Sequence, residues 1–142
     1  MEQRDFEFMG EVVKAARGEL AALAHGRLAT LGFSMGASWT LVVAAGEPDI
    51  AAVVLFYGTE GVDLKQTRAK VLGHYAEVDE WEPLEGVRAM EADMKAAGLD
   101  VTIHVYPGVH HWFVEQDRPE YNPASAQLAW ERTIEFLRKG LA

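Results

Sequence analysis

Gly32-Phe33-Ser34-Met35-Gly36 is a G-x-S-x-G pentapeptide, the spacing that suits a serine nucleophile. A serine on a very tight strand-to-helix turn adopts strained backbone angles, and its neighbours two positions away must lack bulk for the turn to close. The return is an exposed hydroxyl at a helix N-terminus, with the following amide, that of Met35, aimed at a developing oxyanion. Alone the pattern is weak. With Gly and Ser each near ~7% of residues, chance supplies it in roughly one chain in twenty of this length. A glycine-rich turn that merely lets a strand and a helix pack would read the same way. A serine nucleophile also needs a base, and the base needs a carboxylate to orient it.

Such residues act together only if regular elements hold them. Phe6, Met9, Val13, Ala16, Leu20 and Leu23 recur at spacings of three and four, which predicts a helix over 5–24, with Gly26 where its C-terminus needs one. Leu28-Ala29-Thr30-Leu31-Gly32 reads as a short buried strand, and Met35 to Ala45, apolar nearly all round, as a helix packed inside a larger body. Ile50 to Tyr57 is a continuous apolar run of the kind buried on both faces of a parallel sheet. A polar loop over 58–68 and a third strand over 69–75 follow. Pro83 suits the first turn of a helix whose inner face carries Leu84, Val87, Met90, Met94 and Ala97, stopped by Gly98. Val101 to Tyr106 predicts a fourth strand ended by Pro107-Gly108. Asn122-Pro123 caps a last helix with Ala126, Trp130, Ile134, Leu137 and Leu141 on one face. The order α-β-α-β-β-α-β-α implies an α/β fold, a single domain over 1–142 with a mainly parallel sheet covered by helices on both sides.

In that arrangement the polar residues fall at one edge. Ala76-Glu77-Val78-Asp79-Glu80 follows the third strand, and Pro107-Gly108-Val109-His110-His111 follows the fourth. The chain order Ser, acid, His, each at the carboxyl end of a later strand, is that of the α/β-hydrolases. The concurrence favours Ser34, Asp79 and His111. The loop also offers Glu77, Glu80 and Glu82, however, and His110-His111 could be surface or capping residues. His25, His74 and His104 lie in or beside predicted elements and read as structural. No clustered His and carboxylate at ligand spacing supports a metal, and nothing requires a cofactor. The 142 residues are 49% apolar and 25% charged, as in ordinary globular domains. With 22 acidic against 13 basic residues, the net charge of −9 offers no basic excess for a nucleic-acid partner. The absence of cysteine excludes disulfides and thiolate metal sites. No secretory signal and no run of about 18 apolar residues is visible, so the expectation is a cytoplasmic protein with no membrane partner.

Leu55-Phe56-Tyr57-Gly58, the Asp79 loop, Tyr106-Pro107-Gly108 leading to His111-Trp112-Phe113, and Tyr121-Asn122-Pro123-Ala124 with Ala129-Trp130-Glu131-Arg132-Thr133 resemble the dienelactone hydrolase family. The resemblance runs from about residue 10 to the end. It implies an α/β-hydrolase acting on ester and lactone carbonyls, with the nucleophile at Ser34, the acid at Asp79 and the base at His111 rather than His110. The namesake enzymes carry Cys where Ser34 stands, and an Arg that grips the substrate carboxylate where Glu115 stands, so an anionic dienelactone is not the expected substrate. Trp112 replaces a small residue and should narrow the pocket.

Family members also carry strands one to four of the sheet ahead of the point where this chain begins. The expected fold is therefore a truncated α/β-hydrolase of about four parallel strands. The loop that supplies the second oxyanion amide is lacking, and Leu28 to Leu31 would form an unpaired apolar edge. The expectation is a homodimer that pairs this edge across a two-fold axis. The expected activity is a serine esterase for small neutral esters or lactones, with Phe33, Trp81, Trp112 and Phe113 as candidate pocket residues. The alternatives are a non-catalytic dimeric binding module with a vestigial triad, or a truncated product.

Overall fold

The computed structural model describes residues 3–24, 26–59 and 67–142. The side chain of Phe6, His25 and most of the polar loop predicted over 58–68 lie outside the described residues. The elements follow the predicted order: α1 (Gln3–Leu23), β1 (Leu28–Phe33), α2 (Met35–Gly46), β2 (Ile50–Phe56), β3 (Lys70–Val78), α3 (Leu84–Ala96), β4 (Val101–His110) and α4 (Pro123–Leu141). Their four strands form one parallel sheet in the order β1-β2-β3-β4. No helix among the described residues is long and apolar enough to cross a membrane.

The apolar run of β2 is explained by burial on both faces. Val53 and Leu55 join Leu41, Val71, Tyr75, Val87 and Met94 in one core beneath α2 and α3. Val54 and Phe56 point the other way, into a second core with Leu72, Tyr106, Phe113, Ala126 and Ala129 beneath α4. A parallel strand with helices on both sides has no face left for polar residues.

Three boundaries and faces differ from expectation. Pro107-Gly108 does not end β4. The register shifts between Ala76 and Val78, Gly108 takes φ 66°, and its amide donates to Glu77 Oε2 at 2.8 Å instead of continuing the ladder. The strand resumes to His110 after this irregularity. On α4 the buried positions are Ala126, Ala129, Thr133 and Gly140, whereas Trp130, Ile134 and Leu141 are partly exposed. Small residues let the helix approach the sheet closely: a Cβ at Gly140 would sit 3.4 Å from the Ala52 Cβ. On α1, Met9 and Val13 face the body as expected, but the stripe continues through Arg17, Ala21 and Ala24. The Arg17 guanidinium reaches Asp49 at 2.7 Å and Glu47 at 2.9 Å, so Leu20 and Leu23 turn outward, half and three-quarters exposed.

Candidate active site

Ser34 links β1 directly to α2, and its backbone bears the mark of that turn: φ 51°, ψ −123°. For a residue with a Cβ this conformation costs about 1–3 kcal/mol and persists only when its surroundings over-determine it. Here they do. The Ser34 amide donates to the Phe56 carbonyl at 2.9 Å, and its own carbonyl accepts from Ala37 at 2.9 Å. Gly32 and Gly58 leave room for the turn. A Cβ on Gly32 would strike the Gly36 carbonyl, and one on Gly58 would lie within 2.6 Å of the Ser34 oxygen and the Ala37 methyl. Gly36 differs from the sequence expectation, since a Cβ there would meet nothing within 4 Å. Met35 is the first residue of α2, where an amide has no acceptor within the helix.

The other two residues arrive from neighbouring strand ends. Asp79 follows β3 and His111 follows β4, and the parallel register brings Val78 opposite His110. Asp79 Oδ2 accepts from His111 Nδ1 at 2.7 Å, and His111 Nε2 stands 3.1 Å from Ser34 Oγ. With Nδ1–H donating to the carboxylate, the Nε2 lone pair faces the hydroxyl, which donates to it. The Asp79 and His111 side chains are only 1% and 5% exposed, so solvent competes little for this chain of bonds. The remaining Asp79 oxygen accepts the amides of Trp81 and Glu82 at 2.9 and 3.0 Å, which fixes the carboxylate from below.

This geometry separates the candidates that spacing left open. Glu77 is engaged by the Gly108 amide, and Glu82 accepts from the Thr59 hydroxyl. Burial is the main cause that holds the Glu82 carboxyl above the usual range, and the neighbouring Asp79 adds to it. His110 is exposed at the end of β4, while the next ring turns inward. His74, read as structural, is fully buried and bonded through both nitrogens, to Tyr106 Oη at 2.8 Å and Thr133 Oγ1 at 3.0 Å.

Of the four expected pocket residues, Trp81 and Trp112 flank His111, their rings 6.2 Å apart. Phe113 does not belong there: it is completely buried in the core below α4, against Tyr57 and Tyr106. Phe33 stacks on Phe56 at 4.8 Å, lies 6.2 Å from the Tyr57 ring and lines a groove beside β1 rather than the cavity at His111.

Sequence reasoning missed Tyr57. Its ring lies 4.6 Å from that of His111, and its hydroxyl donates to Glu115 Oε1 at 2.9 Å. Burial and the Glu115 carboxylate push its phenol well above the ordinary value. Its place at the end of β2, beside the strand that carries Ser34, was the available signal. Among the described residues, Ser34, Tyr57 and Trp112 are the non-glycine residues with positive φ, and all three stand at this site. No three His or carboxylate groups among the described residues gather in a way that could hold a metal ion.

A nucleophile-type turn at a strand-to-helix junction, with acid and imidazole at the next strand ends of a parallel sheet, defines the α/β-hydrolase fold. The family model described as "Dienelactone hydrolase family" matches residues 2–141, and the chain belongs to that family. It is 34% identical over 125 residues to a protein of Escherichia coli O157:H7 named "Putative carboxymethylenebutenolidase", covering 80% of this chain and 46% of that one. Among solved structures it resembles "Putative Dienelactone Hydrolase" of Klebsiella pneumoniae at TM-score 0.74 and 30% identity, over 80% of this chain and 52% of the other. Esterase PE8 shares the fold at TM-score 0.74 and 22% identity, over 95% and 61% of the two chains. The chain thus spans about half the length of the curated relatives it matches.

Proposed function

We propose that this chain is a serine hydrolase cleaving small carboxylic esters or lactones that carry no negative charge. The observation that carries the reading is the bonded series Asp79–His111–Ser34, closed at 2.7 and 3.1 Å on a strained serine. Ser34 Oγ would attack the substrate carbonyl carbon while its proton passes to His111 Nε2. Asp79 would hold the ring and stabilise the imidazolium. The Met35 amide would receive the developing oxyanion. The imidazolium then returns its proton to the departing alkoxide, and water, activated in the same way, releases the acid from the Ser34 ester. The half-buried Glu115 and the nearby Glu80 and Glu120 would repel an anionic substrate.

One oxyanion donor is missing from this account, and its lack is worth on the order of 3 kcal/mol, or ~100-fold in rate. The expected source is a second copy of the chain paired antiparallel along β1. That edge, Leu28–Phe33, has no charged residue in a chain of net charge −9, so two copies meet without repulsion there. Light scattering should report a dimer, which Leu31→Lys dissociates. A monodisperse monomer would remove this part of the reading.

The test of the hydrolase is intact mass after exposure to a fluorophosphonate, which an idle serine ignores. The expected result is one adduct with loss of fluoride, absent from Ser34→Ala. A folded chain that forms no adduct would mean that the series is not a working nucleophile.

A further inference from the structure

We propose that the cavity beside His111 is a binding site for an organic cation, and that the esters this site takes best carry an alkylammonium group. This deepens the hydrolase reading and rests on it. The cavity has a volume of about 260 Å³ and is walled by Glu80, Trp81, His110, His111, Trp112 and Glu120. It lies at the ends of β3 and β4, with Val78 and His110 from the strands and the rest from the segments that follow them. Two carboxylates and two indoles around one space is a composition with a specific preference. The carboxylates supply the charge, and the faces of tryptophan rings attract a cation through their quadrupole.

The two carboxylates differ in burial: Glu80 is exposed, whereas Glu120 is partly buried. Neither Glu80 nor Glu120 forms an ion pair among the described residues, and Glu120 Oε2 is buried without a hydrogen-bond partner. A buried carboxylate oxygen left without a partner is costly, and a bound cation would remove that cost. Arg118, which stacks on one of the lining indoles, is already committed. Its guanidinium lies 4.4 Å above the Trp112 ring, and its Nε pairs with Glu115 at 3.5 Å. That stack also demonstrates that Trp112 accepts a cation on its face. A hard metal ion fits poorly, because calcium and magnesium want six or more oxygen ligands, whereas indoles occupy much of this wall. An alkylammonium has the reverse requirement: diffuse charge, apolar surface and no need for a full shell of acceptors. His111 joins the cavity to the reacting serine, so a cation seated there belongs to the substrate whose carbonyl meets Ser34 Oγ.

Two measurements on the full chain test the proposal. The first compares kcat/KM for acetylcholine with that for 3,3-dimethylbutyl acetate, its uncharged isostere. The wild type should favour the cation by about ten-fold, and Glu80→Gln with Glu120→Gln should bring the ratio to within about two-fold of one. The second titrates tryptophan fluorescence with choline chloride at constant ionic strength, against sodium chloride. Choline should perturb the emission of the wild type and not of the double variant. Ester cleavage with a ratio at or below one, and no choline response, would overturn the cation site while leaving the hydrolase intact. A choline response in a chain that cleaves neither ester would keep the cation site and defeat the hydrolase.

Discussion

The two margins of the sheet are finished to very different degrees. At the β3–β4 side, the acid and the imidazole of the proposed chemistry have their partners within this chain. Asp79 accepts three hydrogen bonds, His111 is bonded at both nitrogens, and Tyr57 and Trp112 close around the ring. At the β1 side, the strand pairs only with β2 among the described residues, and a groove of about 460 Å³ runs between β1, α1 and α2. Met35 is about half exposed there, and a side chain at Gly36 would meet open space. The lesson is that positioning an imidazole needs only two adjacent strand ends and the loop between them. Holding an oxyanion needs a second wall on the far side of the nucleophile.

The largest effect should come from breaking the finished margin. Ser34→Ala or His111→Ala should lower ester hydrolysis by about 10⁶-fold, to the background of the assay, with an unchanged circular dichroism spectrum. Wild-type rates in either variant would remove those residues from the chemistry. Asp79→Asn keeps the size of the side chain but replaces one acceptor by a donor, which inverts the tautomer preference of His111. It should cost about 10⁴-fold in kcat, and a loss under ten-fold would mean that the imidazole is oriented by something else.

A pair of glycine variants compares the packed and the open side of the β1–α2 turn directly. Gly32→Ala forces a methyl into the Gly36 carbonyl and should destabilise by more than about 2 kcal/mol. Gly36→Ala adds a methyl in open space on a helix, and thermal melting should find it within about 1 kcal/mol of wild type, or more stable. Should Gly36→Ala prove as damaging as Gly32→Ala, the β1 margin is covered in solution. The contrast drawn above would then belong to the isolated chain only.

The most gradual effect concerns pH. Burial pushes the His74 imidazole down to about 3, with His104 and Arg132 adding to it, whereas an unfolded chain protonates its histidines near 6.5. The stability this neutral ring lends is therefore complete above about pH 6.5 and is lost as pH falls toward 3, at up to about 1.4 kcal/mol per pH unit. Denaturant midpoints of His74→Gln should fall less steeply over that range than those of wild type. An identical slope would locate the acid sensitivity elsewhere.

Much of this was legible in the residues, for reasons that differ by element. The both-faces-apolar pattern of β2 and the Asn122-Pro123 cap are local signals, and the Asn122 side chain does accept the Ser125 amide at 3.0 Å. Helix faces were harder. Hydrophobicity placed Trp130 and Ile134 against the sheet, whereas close approach selected Ala129, Thr133 and Gly140 instead. Arg17 could not be read as facing the body, because its partners Glu47 and Asp49 are distant in the chain. The same holds for Phe113, whose chemistry suits a pocket and a core equally.

By itself the sequence determined the order of elements, the parallel α/β class and the strand ends at which Ser34, the acidic loop and the histidine pair fall, because periodicity and turn chemistry are local. Tertiary structure decided which histidine meets Ser34 and which carboxylate meets that histidine, since that choice depends on the register of β3 against β4. It also decided that Tyr57 stands against the imidazole and that Phe113 does not. It left the β1 margin open for a further reason: a strand carries its own hydrogen-bonding groups, but only the assembled sheet reveals whether they have been met.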